Sequence, residues 1–219
     1  MTSKPIAPLG ELERDALTEI SNMAMGRAAT SLAQMIKHEV LLKVPSIEIL
    51  SNEAAIEIVS QPGTASLVAV RQDFDGPFSG RAILIFPEAK SLELVRAIVG
   101  KELPLEDVID LEDEALAETG NIILNSWVAT MANVLKRSLS MSLPVVVRGD
   151  SRHVLAVPQA KDDLVLFLYI HFEISLRSIR GYLAMLMDVP SMEALREFVS
   201  DFIATVDRDR SVIGRQPGA

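Results

Sequence analysis

The strongest constraint on this chain is that it resembles itself. At an offset of 99, residues 15–45 (DALTEISNMAMGRAATSLAQMIKHEVLLKVP) fall on residues 114–144 (EALAETGNIILNSWVATMANVLKRSLSMSLP) without a gap. Seven positions are identical: Ala16/Ala115, Leu17/Leu116, Glu19/Glu118, Asn22/Asn121, Ala33/Ala132, Lys37/Lys136 and Pro45/Pro144. Asp15 faces Glu114, so the charge is also kept. Further on, Gly80 and Gly181 each open an apolar strand, and LELVRAIV at 92–99 faces MEALREFV at 192–199. A sequence that repeats must build one architecture more than once. The chain is therefore expected to be one domain, residues 1–219, made of two copies at about 10–105 and 106–207, with 208–219 as a flexible tail.

Each copy has the same expected order of elements. Residues 9–37 have helical periodicity, with Leu12, Ala16, Ile20, Met23, Ala24, Ala28, Leu32, Met35 and Ile36 recurring at three- and four-residue steps. Val40–Leu50 reads as a strand that Pro45 interrupts, because proline lacks the N–H a ladder needs. Pro62-Gly63 marks a turn. Residues 64–74 and 78–86 read as a hairpin joined through Asp75-Gly76. Pro87 opens a helix that Gly100 closes. In the second copy a helix is expected over 110–137, strands near 143–149, 163–174 and 179–187, and a helix over 190–205. The joint is the loop 101–110. Strands adjoin strands and helices flank them, which predicts an α+β fold: a pseudo-twofold duplication with an antiparallel sheet and two long, exposed helices.

Composition removes several function classes. Lys plus Arg total 21 and Asp plus Glu total 30, a formal net charge of -9, which is unsuited to general nucleic-acid binding, where affinity comes from neutralising phosphates. With no cysteine, disulfides, thiolate metal sites and cysteine nucleophiles are excluded. The longest apolar stretches, such as Ala82–Phe86 and Val165–Ile170, are of strand length, and the first residues show no signal-peptide pattern. A soluble cytoplasmic protein with no nucleic-acid or membrane partner is expected.

The chemistry-bearing residues lie on the two long helices. At 100° per residue, Asp15, Glu19 and Asn22 share an arc of about 60°, and Gly26 continues the row. The second copy places Glu114, Glu118, Asn121 and Asn125 in the equivalent row. Acid and amide side chains on a helix are ordinarily just a solvated face. Two details argue for more. Asn is a mediocre helix former, since its side chain competes for backbone hydrogen bonds, and the Glu-x-x-Asn pair recurs at the same place in both copies. A carboxylate can grip a partner's Lys or Arg. An amide offers both a donor and an acceptor, so it can orient a water, although it cannot act as a general base. That combination suits hydrolysis of an already activated phosphoryl group, where positioning dominates.

Other candidates read as structure. His38, His153 and His171 are scattered, with no metal-ligand spacing. The segment from Gly76 to Arg81 lacks the order of a phosphate loop and reads as a hairpin turn. Trp127 reads as core packing.

The spacing Asp-or-Ser, three residues, Glu, two residues, Asn, twenty-two residues, Pro resembles that of the CheC/CheX/FliY phosphatases of chemotaxis. The first copy matches it at Asp15, Glu19, Asn22 and Pro45. The second matches at Glu118, Asn121 and Pro144 and departs at Glu114, which stands where the pattern has Asp or Ser. The resemblance covers about residues 10–205. It implies a protein aspartyl-phosphate phosphatase acting on a phosphorylated CheY-type response regulator. Glu19 and Glu118 would anchor a lysine of the regulator, and Asn22 and Asn121 would orient the attacking water. Mg²⁺ would belong to the regulator, with no metal or cofactor held by this chain. The receptor deamidase CheD is a further implied partner, and a non-catalytic CheC-like interaction module is the alternative implied role. Pro45 and Pro144 are assigned to shape, since proline has no reactive group and fixes the turn into the strand. Two sites in one chain resemble the two-site form, CheC. FliY would add a switch domain and a docking peptide, but about 14 residues follow the last expected helix.

Overall fold

The computed structural model describes residues 8–60, 66–99, 104–156, 164–174 and 177–213. Glu13 starts the first helix by reaching back to the Gly10 N–H at 2.8 Å, which satisfies one of the donors a helix N-terminus leaves open. The helix, α1, spans Glu11–Ile36. Strand β1 (Val40–Ser51) follows, then α2 (Asn52–Val59), β2 (Leu67–Asp75), β3 (Gly80–Pro87), a 3-10 turn at Glu88–Lys90 and α3 (Ser91–Val99). The second half begins with α4 (Leu105–Asp110) and α5 (Glu112–Val134). It continues with β4 (Ser140–Met141), β5 (Val145–Gly149), α6 (Ser151–Val154), β6 (Leu164–Ile174), β7 (Arg177–Met187) and α7 (Val189–Ile213).

One antiparallel sheet of seven strands serves both halves. Its order is β1-β6-β7-β3-β2, with β4 and β5 both lying along the outer edge of β2. Exchanging the halves turns this order into its own reverse, with β4 and β5 together taking the place of β1. The register agrees: Ser46 pairs with Tyr169 on one edge, and Val145, 99 residues after Ser46, pairs with Arg71 on the other. The long helices also end alike. Lys37 (φ 54°) and Lys136 (φ 53°) are the only non-glycine residues with positive φ among those described. That explains one of the seven identities: each long helix ends into a lysine with positive φ, Lys37 at the C-cap of α1 and Lys136 just after Leu135, the C-cap of α5.

Strand side chains alternate between two cores. Val68, Val70 and Phe74 of β2, with Leu166, Leu168, Ile170 and Phe172 of β6, join the larger core beneath α1, α3, α5 and α7. Leu67, Ala69, Ile83, Ile85, Val165 and Phe167 face the other way, into a smaller core shared with residues of α2 and α6. Trp127 is 1% exposed and donates its indole N–H to Ser21 Oγ at 2.9 Å, so α1 and α5 are packed and keyed to each other.

Several local expectations change. Short helices α2 and α6 were not foreseen; Ser51 and Asp150 cap them through side-chain oxygens that accept from the Ala54 and His153 backbone N–H groups. Part of the expected loop 101–110 is helical, as α4. The last helix runs on to Ile213 rather than stopping near 205. Leu12 and Met23, expected in the core stripe, are 66% and 44% exposed. They fall within about 20° and about 40° of Glu19 on the helix wheel, so they belong to its outer ridge. The Pro62-Gly63 turn and the Gly100 stop lie outside the described residues.

Candidate functional site

The expected row is displayed on both long helices. Asp15, Glu19 and Gly26 are exposed and Asn22 is half-buried; Glu114 and Glu118 are exposed, with Asn121 and Asn125 half-buried. Neither Glu19 nor Glu118 takes part in a hydrogen bond or ion pair among the described residues. Both carboxylates are therefore free to meet a partner's cation. Leu12 and Met23 flank Glu19 on the same ridge. Beside Glu118 lies an open groove of about 370 Å³ lined by Met35, Ile98, Leu111, Glu114, Ala115 and Glu118.

The distance in sequence from Asn22 to Pro45 has a physical cause. Pro45 offers no N–H, and the β1 ladder shifts register between Lys43 and Ser46. Val44, 2% exposed, sits inside that break. The Asn22 side chain takes up both backbone groups there: Oδ1 accepts from the Val44 N–H at 2.9 Å and Nδ2 donates to the Val44 carbonyl at 3.2 Å. A side-chain amide thus completes the strand that proline interrupts, and β1 stays continuous. One amide hydrogen and one lone pair of Asn22 remain for other use.

The second site is built differently. Asn121 makes no bond to Leu143, the counterpart of Val44, and Leu143 is 85% exposed. The edge strand breaks into β4 and β5. Gln72, which is 1% exposed on β2, does the stapling instead, donating to the Ser142 carbonyl at 2.9 Å. Ser142 is further held by its N–H to the Asp73 carbonyl and by its hydroxyl accepting from the Asp73 N–H. Gln72 also donates to Asn121 Oδ1 at 3.1 Å, and Asn125 Nδ2 donates to the same oxygen at 2.6 Å. Gly120 makes this meeting possible. A Cβ there would lie 2.5 Å from Val70, so α5 approaches β2 as closely as it does only without one.

Gln72 and Ser142 were not anticipated from the sequence. The signal was present: on the alternating face Val68, Val70, Gln72, Phe74, the glutamine is the one polar residue, where the second copy has Ile170. The three histidines stay apart, and no group of three or more His, Cys, Asp or Glu able to hold a metal occurs among the described residues.

Comparison with known proteins bears directly on these two helices. The model of the CheC-like family matches residues 12–49, which hold the first row and its proline. The model of the chemotaxis phosphatase CheX matches residues 68–172, which hold the second. Each half of the chain is thus similar to a family of chemotaxis proteins, the first to CheC and the second to CheX. Among curated relatives, the CheY-P phosphatase CheC of Bacillus subtilis is 24% identical over 139 residues, 62% of this chain and 66% of that protein. The flagellar motor switch phosphatase FliY of Bacillus subtilis is 24% identical over 160 residues, 72% of this chain and 41% of that protein. The chain thus spans just under two thirds of that CheC and about two fifths of that FliY. The crystal structure of Thermotoga maritima FliY superposes with a TM-score of 0.73 at 19% identity, covering 89% of this chain and 98% of that one, so the CheC/CheX/FliY fold is shared. No helix among the described residues is long and apolar enough to cross a membrane.

Proposed function

We propose that this chain is a CheC/CheX/FliY-type phosphatase that hydrolyses the phospho-aspartate of a CheY-type response regulator. The observation that carries the reading is an unpaired, exposed Glu19 one turn from an Asn22 whose amide is fixed by Val44 yet keeps one donor and one acceptor. Glu19 and Glu118 anchor a cationic side chain of the regulator. The held amide bonds a water in line with the acyl phosphate. The water oxygen forms a bond to phosphorus and the aspartyl oxygen–phosphorus bond breaks. The carboxylate departs at its own low pKa and the water's proton ends on inorganic phosphate, so no general base from this chain is needed. Fixing the amide before docking lowers the entropic cost of alignment. Mg²⁺ belongs to the regulator's acidic site in this scheme, and CheD is a second candidate partner.

The test is the decay of a phosphorylated CheY-type regulator with wild type, Glu19→Ala/Asn22→Ala, Glu118→Ala/Asn121→Ala and all four changes. The wild type should accelerate decay and the quadruple variant should not. A quadruple variant as fast as wild type would sink the assignment of these residues. A second reading has one observation in its favour: the bond pair from Asn22 to Val44 is itself sufficient reason for an asparagine at that position. In that case the chain is a non-catalytic module that binds a regulator or CheD. Tight binding of regulator with no change in phosphate lifetime would favour it.

A further inference from the structure

We infer that Gln72 and Asn125 are positioning residues that occupy the oxygen of Asn121, so that the second site can donate to a phosphoryl group but cannot orient water. This rests on the phosphatase reading above and divides its labour: Asn22 carries hydrolysis, while Asn121 and Glu118 bind.

The argument is a count of lone pairs. An amide oxygen has two, and an amide nitrogen has two hydrogens. Asn22 spends one of each on Val44. It can therefore accept a proton bond from the attacking water while donating to water or phosphate. Asn121 Oδ1 accepts from Gln72 and from Asn125, which uses both lone pairs. Its Nδ2 makes no bond among the described residues and has two hydrogens to give. An amide in that state can hold a phosphoryl oxygen, but it has nothing with which to take the water's hydrogen and turn the oxygen lone pair toward phosphorus.

The arrangement is built rather than incidental. Asn125 is fixed by a second bond, from Nδ2 to the Asn121 backbone carbonyl at 2.9 Å. Gln72 is fixed by Ser142 and is almost wholly buried. Its Oε1 is buried with no partner, which a fold ordinarily avoids. Both Gln72 donors are engaged, one on the strand and one on Asn121, while its acceptor is left unpaired. In the first copy the corresponding positions, Ile170 and Gly26, have no side-chain donor to compete for Asn22.

The experiment is a rescue measured as phosphate release from a phosphorylated CheY-type regulator. Asn22→Ala should remove most of the acceleration, and Asn121→Ala should remove less. Adding Asn125→Ala to Asn22→Ala should then raise the rate roughly fivefold, the equivalent of one recovered hydrogen bond of about 1 kcal/mol. Adding Gln72→Leu instead should do the same, with a buried apolar residue of similar volume. A purely structural role for either side chain would not produce a gain. Equal losses from Asn22→Ala and Asn121→Ala, or no gain from either added change, would overturn the inference while leaving the phosphatase reading intact. A wild type without effect on decay would overturn both.

Discussion

The two motif helices carry the same residues and hold them in opposite ways. On α1 the asparagine reaches across to the edge strand and repairs it, so its amide is half spent on Val44. On α5 the equivalent repair has passed to Gln72, one strand in, and the asparagine is itself the object being held. Position 22 is therefore under structural demand whatever its chemistry, whereas position 121 is not. A matched motif in two segments shows that the same residue types recur at the same spacing. It does not establish that each side chain has the same unspent hydrogen-bonding capacity.

The contrast should appear first in stability. Asn22→Ala leaves a buried backbone N–H and carbonyl at Val44 without partners, and each costs about 1–3 kcal/mol. We expect a loss of about 2–4 kcal/mol in denaturant unfolding, with β1 frayed at its Pro45 break. Asn121→Ala leaves Gln72 its bond to Ser142 and Asn125 its bond to a backbone carbonyl, so about 1 kcal/mol is expected. Equal unfolding midpoints for the two variants would remove the contrast.

Gly120 sets the geometry on one side only. Its place in α1 is taken by Ser21, which accepts the Trp127 indole N–H. A methyl group at position 120 meets Val70 at 2.5 Å, so Gly120→Ala should lose about 1–2 kcal/mol, with overpacking outweighing the better helix propensity of alanine. Gly26→Ala meets nothing within 4 Å and should gain about 0.5–1 kcal/mol. Thermal unfolding of the two variants should shift in opposite directions.

Much of this architecture was legible in the sequence because periodicity reports burial. The repeat, both long helices, the hairpin and the edge break at Pro45 follow from patterns that packing must satisfy. The short helices α2 and α6 were not legible, since four to eight residues are too few to show a helical period beside a strand. Leu12 and Met23 misled for the opposite reason: apolar residues on an exposed ridge look like core when only their type is read. The site rows were legible as positions, but the state of each amide was not. That state depends on Val44 and Gln72, which are 22 residues from Asn22 and 49 residues from Asn121. Only the fold brings them near.

Where the copies agree, matched changes should have matched effects. Lys37 and Lys136 both sit at positive φ, a conformation that costs a residue with a Cβ about 1 kcal/mol and glycine almost nothing. Lys37→Gly and Lys136→Gly should each stabilise by up to about 1 kcal/mol, by the same amount within error. A gain at one end and a loss at the other would show that the helix ends have diverged as the asparagines have.

The smallest effect concerns the helix starts. Glu13 and its counterpart Glu112 are both held by arginines, but by different ones. Glu13 meets Arg196 of α7 through two bonds, at 2.9 and 3.1 Å. Glu112 meets Arg148 of β5 at 3.2 Å, and Arg148 also reaches Glu88 and Asp113. Burial alone would raise the pKa of Glu13, but the Arg196 hydrogen bonds, the Gly10 N–H and the Arg196 charge together hold it below the ordinary carboxylate value. A carboxyl depressed on folding binds fewer protons in the native state than in the unfolded one. Its contribution is thus complete above the unfolded pKa and is lost as pH falls through the depressed folded one. Glu13→Gln should cost a little stability near neutrality and flatten the acid limb below the ordinary carboxylate range. Arg196→Met should remove the same pH dependence, because the arginine supplies most of the lowering. Unfolding free energies measured from neutral pH down through that range decide it, and an acid limb unchanged in both variants would mean that the Glu13–Arg196 pair contributes nothing to folding.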